Sequence, residues 1–490
     1  MPSVAALRKA LVSWEGLIFL STFLIYCLTV NTLWTGDHAN SILQLEYAMY
    51  SNHSFALGKV GDFKTISVDT FTFKGYWYSA IAPGTAFLAY PFASLGFALD
   101  GTFTPFGYAS LFNEIFISFV NSLAAIFVYK LSRLFAREGT SFFIALAYAF
   151  STISWPFATM LFQHDLSAFL DAAAAYCILS YFRFSNLRPE GRPSIVRLAL
   201  GGLAMGLAFT VDYVNAAQIP IYLGYAAYCV RKDSLLRKSG PKIFSVMLGA
   251  AAISFVAIGI YNVDAFGNVL FFSEQSYLQG SGGILANFKT PIYYGLVDLL
   301  LSPYRGLLLY CPFVLVGVLG VLKVVRNRER KFDSLLRRDV VLLSLLALGT
   351  IIPYSMWYDV NGGESFGPRF LVAAIPFLLV PAGLYMETFV KQSLVSRAFA
   401  LYAIGVVINA AGAMNNALGC NGNYYTYAPV VCSIPHLAEG ELDGWWRSLP
   451  AVYWVPICLA IIAFALFLPI PAVRTIVREE PRVVTKEINE

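Results

Sequence analysis

Charge is scarce in this sequence. Asp, Glu, Lys and Arg together make up 13% of its 490 residues, apolar residues make up 58%, and the mean hydropathy is +0.64. A soluble chain of this length could not bury so much apolar surface, which excludes a water-soluble globular class. No internal repeat is visible, which argues against the duplicated halves from which many transporters are built. The basic runs lack interleaved aromatics, so the net charge of +5 points to anionic lipid headgroups and away from nucleic acid. Oxygen-rich clusters at metal-binding spacing are missing too, and neither a metal nor another cofactor is expected. The first apolar run follows Arg8 and Lys9 as in a signal peptide, but it runs into "NTLWTGD" without a small-residue cleavage site and reads as an uncleaved anchor.

What the chain has is apolar runs. A run of about 17–25 residues crosses the hydrocarbon core, and twelve such runs can be laid down at roughly 15–34, 113–135, 140–158, 165–183, 195–212, 214–231, 243–262, 304–323, 340–357, 369–387, 398–415 and 451–470. A further stretch at 81–99 is interrupted by Pro83, Gly84, Pro91 and Gly96 and reads as an interfacial segment. With both termini cytoplasmic, most of the 34 lysines and arginines fall inside, as the positive-inside rule requires. A full span at 81–99 would reverse that asymmetry. The expected architecture is therefore an all-α polytopic membrane protein of about twelve transmembrane helices. Residues 1–470 form a single domain, and residues 471–490 a short, charged, disordered cytoplasmic tail. The plasma membrane is the expected location. The long loops, about 35–112, 263–303, 358–368 and 416–450, all face outward, and the first is expected to carry interfacial helices.

Five of the seven cysteines (Cys27, Cys177, Cys229, Cys311, Cys458) lie in or at the ends of apolar runs, where a thiol is an ordinary small core residue. Cys420 and Cys432 share the last outside loop, "CNGNYYTYAPVVC", and an oxidising compartment would permit a disulfide between them.

The ionisable residues at the outer ends are the functional candidates, because a charge left facing lipid is costly. Asp37 opens "DHANSILQLEYAMY", where Ile42, Leu45 and Met49 fall at helical spacing; this predicts a short amphipathic helix lying on the membrane, for which Asp37 would serve as N-cap. His164, Asp165 and Asp171 follow in "QHDLSAFLD", then Asp212, Glu274 and Asp298. Arg305 and Arg369 each begin a span at the outer face, against the inside bias for arginine and beside helix N-termini that are already electropositive. An anion between them, most simply a phosphate, would remove both faults, with His164 as a further donor. The structural alternative pairs these arginines with Glu364 or Asp359. Aromatics, 16% of the chain, suit both sugar stacking and interfacial belts.

The order of these motifs resembles the GT-C superfamily of polyprenyl-phosphate-sugar-dependent glycosyltransferases, in particular a prokaryotic branch related to the protein-mannosyltransferase and aminoarabinose-transferase types. The segments that carry the resemblance are "GDHANSILQLEYAMY", "GYWYSAIAPGTAFLAYP", "WPFATMLFQHDLSAF", "GLAMGLAFTVDY", "YNVDAFGNVLF", "LLSPYRGLLLYCPF" and "GGESFGPRFLVAAIPFLLVPAG", which together span residues 36 to 383. The resemblance implies an inverting transfer of a sugar from a polyprenyl-phosphate donor to a glycan, lipid or protein acceptor on the outer side. The acid after the first span, Asp37, would be the general base. Many relatives carry a second acid next to it, where this chain has His38. Glu46, Tyr78, Asp165 and Glu364 are the candidates for holding the acceptor or sugar. The chemistry agrees: a phosphate leaving group needs positive charge more than a proton donor, and one carboxylate on the opposite face takes the acceptor proton. A transporter or flippase of an anionic lipid or sugar-lipid is the alternative, and it would place charges near the bilayer midplane and not at the outer ends.

Overall fold

The computed structural model describes residues 13–30, 36–187, 194–277, 284–326, 334–363, 365–389, 392–414, 433 and 451–478. In chain order the helices are α1 (Trp14–Leu28), α2 (Asp37–Asn52), α3 (Gly84–Asp100), α4 (Tyr108–Arg133), α5 (Glu138–Phe150), α6 (Ser154–Phe157), α7 (Gln163–Leu187), α8 (Ile195–Val211), α9 (Gln218–Lys232), α10 (Ser234–Phe266), α11 (Ile292–Leu301), α12 (Leu307–Tyr310), α13 (Val314–Arg326), α14 (Ser334–Met356), α15 (Ile375–Phe389), α16 (Gln392–Met414), α17 (Ala451–Phe467) and α18 (Ile470–Arg478).

Among the described residues, six stretches are long and apolar enough to cross a membrane: Tyr108–Arg133, Gln163–Arg183, Leu236–Phe266, Arg369–Thr388, Val395–Met414 and Trp454–Ile476. The second and fourth are almost wholly buried and form the centre of the bundle. Leu236–Phe266 and Trp454–Ile476 lie at its periphery, with Ile253, Ile260, Leu459 and Phe467 turned outward. Side chains of this kind facing outward along a whole helix face lipid in a membrane protein.

Several of the expected spans are interrupted. The run 140–158 divides into α5 and α6 where the Thr152 hydroxyl bonds back to the Tyr148 carbonyl and accepts the Ser154 N–H, taking over from the helical ladder. The run 304–323 divides into α12 and α13 at Cys311 and Pro312, because proline has no N–H to continue the helix. The run 214–231 begins with a tight turn, Tyr213–Ala217, capped by Asp212, whose Oδ1 accepts the Val214 N–H at 3.1 Å. Conversely, the 81–99 stretch carries one continuous helix from Gly84 onward, α3, which runs through Pro91. Gly84 at its start lies where a Cβ would come within 2.4 Å of the Thr210 backbone, so the glycine marks a close helix crossing and not a break. The helix Ile470–Arg478 takes in residues 471–478, expected in a disordered tail, with Ala472 and Ile476 one turn apart and buried.

The segment between α2 and α3 also holds a feature that an all-α expectation omits. Strands β1 (Gly58–Lys59), β2 (Thr70–Phe73) and β3 (Tyr76–Ser79) form an antiparallel sheet in the order β1-β3-β2, with Phe71 opposite Tyr78 and Thr72 opposite Trp77. Lys74 and Gly75 both have positive φ, 48° and 83°, the geometry that a two-residue hairpin turn requires. The sheet packs on α2. That helix is formed as expected, but its polar residues Ser41, Gln44 and Glu46 are buried along with its apolar ones, so it is not a helix lying on the membrane with one face in water.

Candidate active site

A cavity of about 340 Å³ opens where the start of α2, the turn before β2, the start of α7 and the loop after α14 meet. Its chemistry comes from Asp37, Asp69, Glu274 and Asp359, with His38, Gln163, Tyr358 and Arg369. This is the end of the bundle that the lysine and arginine count assigns to the outside. At the opposite end Asp339 is gripped by Arg183 at 2.5 Å and Arg338 at 2.8 Å.

Asp37 is the first residue of α2, and its N-cap is Gly36. It therefore does not cap the helix as the sequence suggested. Instead its Oδ1 accepts the Val68 N–H at 3.0 Å, and its carbonyl accepts the Ser67 hydroxyl at 2.6 Å. These bonds bring the 67–69 turn beside the helix start and with it Asp69, whose carbonyl is held by the Ser41 hydroxyl at 2.6 Å and the Ala80 N–H at 2.9 Å. His38 lies flat on Phe162, with ring centroids 5.1 Å apart; its Nε2 is 2.9 Å from Gln163 Oε1 and its Nδ1 is 3.5 Å from Asp69 Oδ2. Burial acts to raise the Asp69 carboxyl, but the His38 hydrogen bond and the charges of His38 and Arg369 outweigh it and hold the group below the ordinary carboxylate value.

Arg369 is half-buried in the cavity wall, with its guanidinium 5.2 Å from the centre of the Phe162 ring and 5.3 Å from that of Phe370. Of the two arginines expected at a phosphate, only this one lines the cavity. Arg305 is buried, and its guanidinium is spent on the chain itself: Nη1 donates to the Asn361 carbonyl at 2.8 Å and to the Ser365 hydroxyl, and Nη2 to the Gly363 carbonyl at 2.5 Å. It is the strut of the loop that carries Arg369. Glu364, the proposed partner in that loop, lies outside the described residues, as do Cys420 and Cys432.

The other expected residues stand behind the wall. Gln163, His164 and Asp165 open α7 in succession, each about 100° further round the axis, and only Gln163 faces the cavity. His164 turns to Asp212, Nδ1 to Oδ2 3.7 Å, where Asp212 also accepts the Tyr354 hydroxyl. Asp165 turns into the core, with both oxygens buried and without a hydrogen-bond partner among the described residues. Glu46 is buried against Asn113, Nδ2 to Oε2 2.6 Å, and burial pushes its carboxyl well above the ordinary range despite that bond. The Tyr78 ring packs among Phe71, Phe73 and Phe266. Asp69, Gln163, Trp357 and Tyr358 were not singled out from the sequence. The signal for Asp69 was present in "DTFTFKGYWYS", two alternating β-rich runs joined by Lys-Gly.

Among the described residues, no group of three or more His, Cys, Asp or Glu is placed to share a metal ion. Chemically the cavity offers four carboxyl groups, Asp37, Asp69, Glu274 and Asp359, and one guanidinium for an anion, between aromatic walls of the kind sugars stack on.

No family model matches the sequence, and no curated protein is significantly similar to it. Its fold is nevertheless shared with solved structures. ArnT from Cupriavidus metallidurans bound to undecaprenyl phosphate superposes with a TM-score of 0.54 at 14% identity, over 95% of this chain and 74% of that one. The same protein in the apo state gives 0.53 at 15% identity, over 94% and 76%. The archaeal oligosaccharyltransferase AglB from Archaeoglobus fulgidus, in complex with an inhibitory peptide and a dolichol-phosphate, gives 0.51 at 14% identity; it matches 96% of this chain, which spans 56% of AglB. The chain therefore shares the fold of ArnT and AglB, and six of its described helices are long and apolar enough to cross a membrane.

Proposed function

We propose that the protein is an inverting glycosyltransferase that moves a sugar from a polyprenyl-phosphate donor to an acceptor at the outer face of the membrane. The observation that carries this reading is the cavity itself. Asp37, Asp69 and Arg369 converge there, at the bundle end with few basic residues, in a fold with solved neighbours that hold undecaprenyl phosphate or dolichol-phosphate.

Asp37 is the general base. One of its oxygens is fixed by the Val68 N–H, which orients the carboxylate towards the cavity mouth while the other oxygen takes the proton of the acceptor hydroxyl. That hydroxyl oxygen forms a bond to the anomeric carbon as the bond from that carbon to the phosphate oxygen breaks, and the electron pair leaves with the phosphate. Arg369 meets the charge that develops on the departing phosphate. Asp69 is held charged beside His38 and balances the oxocarbenium-like carbon. Incubating the protein in membranes with labelled polyprenyl-phosphate hexoses and pentoses tests the reading: label is expected to leave the lipid for a water-soluble, protein or second lipid fraction. Label that crosses the bilayer while still attached to its lipid identifies a flippase instead.

A further inference from the structure

We propose that Glu274, on the loop after α10, donates a hydrogen bond to a hydroxyl group of the sugar in the cavity and so selects among donors; this rests on the reading of the cavity as a glycosyl-transfer site. Glu274 is buried, yet it belongs to the cavity wall. Its backbone is pinned, since its carbonyl accepts the Asn287 amide at 3.1 Å and the neighbouring Ser273 hydroxyl donates to the Ile81 carbonyl at 3.0 Å. The side chain is therefore aimed by the fold.

The groups acting on this carboxyl are two other acids, Asp212 and Asp69, and the Ala82 N–H, with no cation among them. A carboxyl that is shut away from water, beside two carboxylates and without a counter-ion, takes up a proton in place of a charge. Burial first, and then the neighbouring acids, accordingly push Glu274 well above the ordinary range against the Ala82 bond. The titratable groups that face it are Asp69 before β2, Asp212 at the end of α8, Tyr213 beside it and Tyr354 on α14; across the cavity stand Asp37, His38, Asp359 and Arg369. With the Ala82 N–H on one oxygen, the proton on the other is free to point at the ligand. None of the steps assigned to Asp37, Asp69 and Arg369 uses it. A neutral donor in a pocket otherwise rich in acceptors reads a hydroxyl oxygen, and a deoxy sugar would leave it unpaired.

The test compares Glu274→Gln, which keeps a neutral donor in place, with Glu274→Ala, in full-length protein reconstituted in bilayers. Glu274→Gln is expected to lower kcat/KM by about 3- to 10-fold and Glu274→Ala by about 100-fold. The wild-type rate should fall as pH rises through the Glu274 titration, and that fall should vanish in Glu274→Gln. Infrared spectroscopy should show a carboxylic-acid C=O band at neutral pH that disappears in Glu274→Gln and shifts when a polyprenyl-phosphate hexose binds. Equal losses in the two variants, a wild-type alkaline fall that persists in Glu274→Gln, or no such band would overturn the proposal. If wild-type protein binds and transfers none of the donors, the transferase reading itself has failed, while the band still reports whether Glu274 carries a proton.

Discussion

The two arginines placed together by the sequence have different surroundings, one in the cavity wall and one bonded to the chain, and substitution should separate them. Arg369→Gln is expected to weaken donor binding or slow transfer by about 10- to 100-fold, the equivalent of a charge-assisted hydrogen bond, with little change in thermal stability. Arg369→Lys should recover only part, because an ammonium cannot reproduce the fork. Arg305→Gln instead removes the donor that holds the Asn361 and Gly363 carbonyls. It should lower folding stability by about 2–4 kcal/mol, seen as a drop in melting temperature, and reduce transfer only through the displaced loop. The reverse pattern would move the phosphate site to Arg305. A second residue-scale expectation concerns acid. Because the folded-state value of Asp69 is depressed, its pairing contributes stability that is complete above the ordinary carboxylate pKa of about 4 and is lost as pH falls through the lower folded value. A melting-temperature profile against pH should show that loss in the wild type and not in Asp69→Asn. At this scale the sequence pointed to Arg369, because it breaks the inside bias for arginine, and to Asp37, because it follows the first apolar run directly. It could not distinguish Gln163 from His164 or Arg305 from Arg369, since which side of a helix start faces a cavity depends on packing from distant segments.

The element on which the site depends most is the β2–β3 hairpin. It sets Asp69 against the start of α2, and its turn needs positive φ at Gly75. Gly75→Val should strain that turn by about 1–2 kcal/mol and lower transfer, whereas the same substitution at the open Gly224 on α9 should not touch the site. Limited proteolysis of the first outside loop, faster in Gly75→Val than in wild type, would report the loosened hairpin. The helices that cross the membrane were readable in outline because twenty-residue apolar runs have few other uses. Their breaks at Thr152 and Cys311–Pro312 come from hydroxyl back-bonding and a missing N–H, which hydropathy does not weigh. The hairpin was hidden by the expectation of an all-helical loop, although the period-two alternation of Thr70-Phe71-Thr72-Phe73 and the aromatic run Tyr76-Trp77-Tyr78 across Lys74-Gly75 suit strands better than a helix. The buried polar side of α2 could not be read at all: Ser41, Gln44 and Glu46 look like a water-facing stripe until the sheet, the loop before β2 and α4 supply Ser79, the Ile66 N–H and Asn113 as partners.

Taken as a whole, the molecule joins an apolar bundle, which could hold the polyprenyl chain, to a polar chamber built from the segments around residues 36–38, 68–69, 162–163, 274 and 354–370. A lipid-linked donor would leave its tail in the bilayer and raise only phosphate and sugar to Arg369 and Glu274, with the acceptor entering at Asp37. The fold is common to ArnT and AglB at sequence identities near 14%, so what has been kept is the arrangement of helices and loops and not the side chains, and function must be argued from this chain's own cavity. The most direct measurement is a single-turnover transfer experiment in nanodiscs that records donor affinity and the rate of sugar release separately, for wild type and Asp37→Asn. The expected result is unchanged affinity for the polyprenyl-phosphate sugar and a rate lower by about 10²- to 10⁴-fold, the usual cost of a lost general base. An Asp37→Asn variant that releases sugar from the lipid as fast as the wild type would contradict the account.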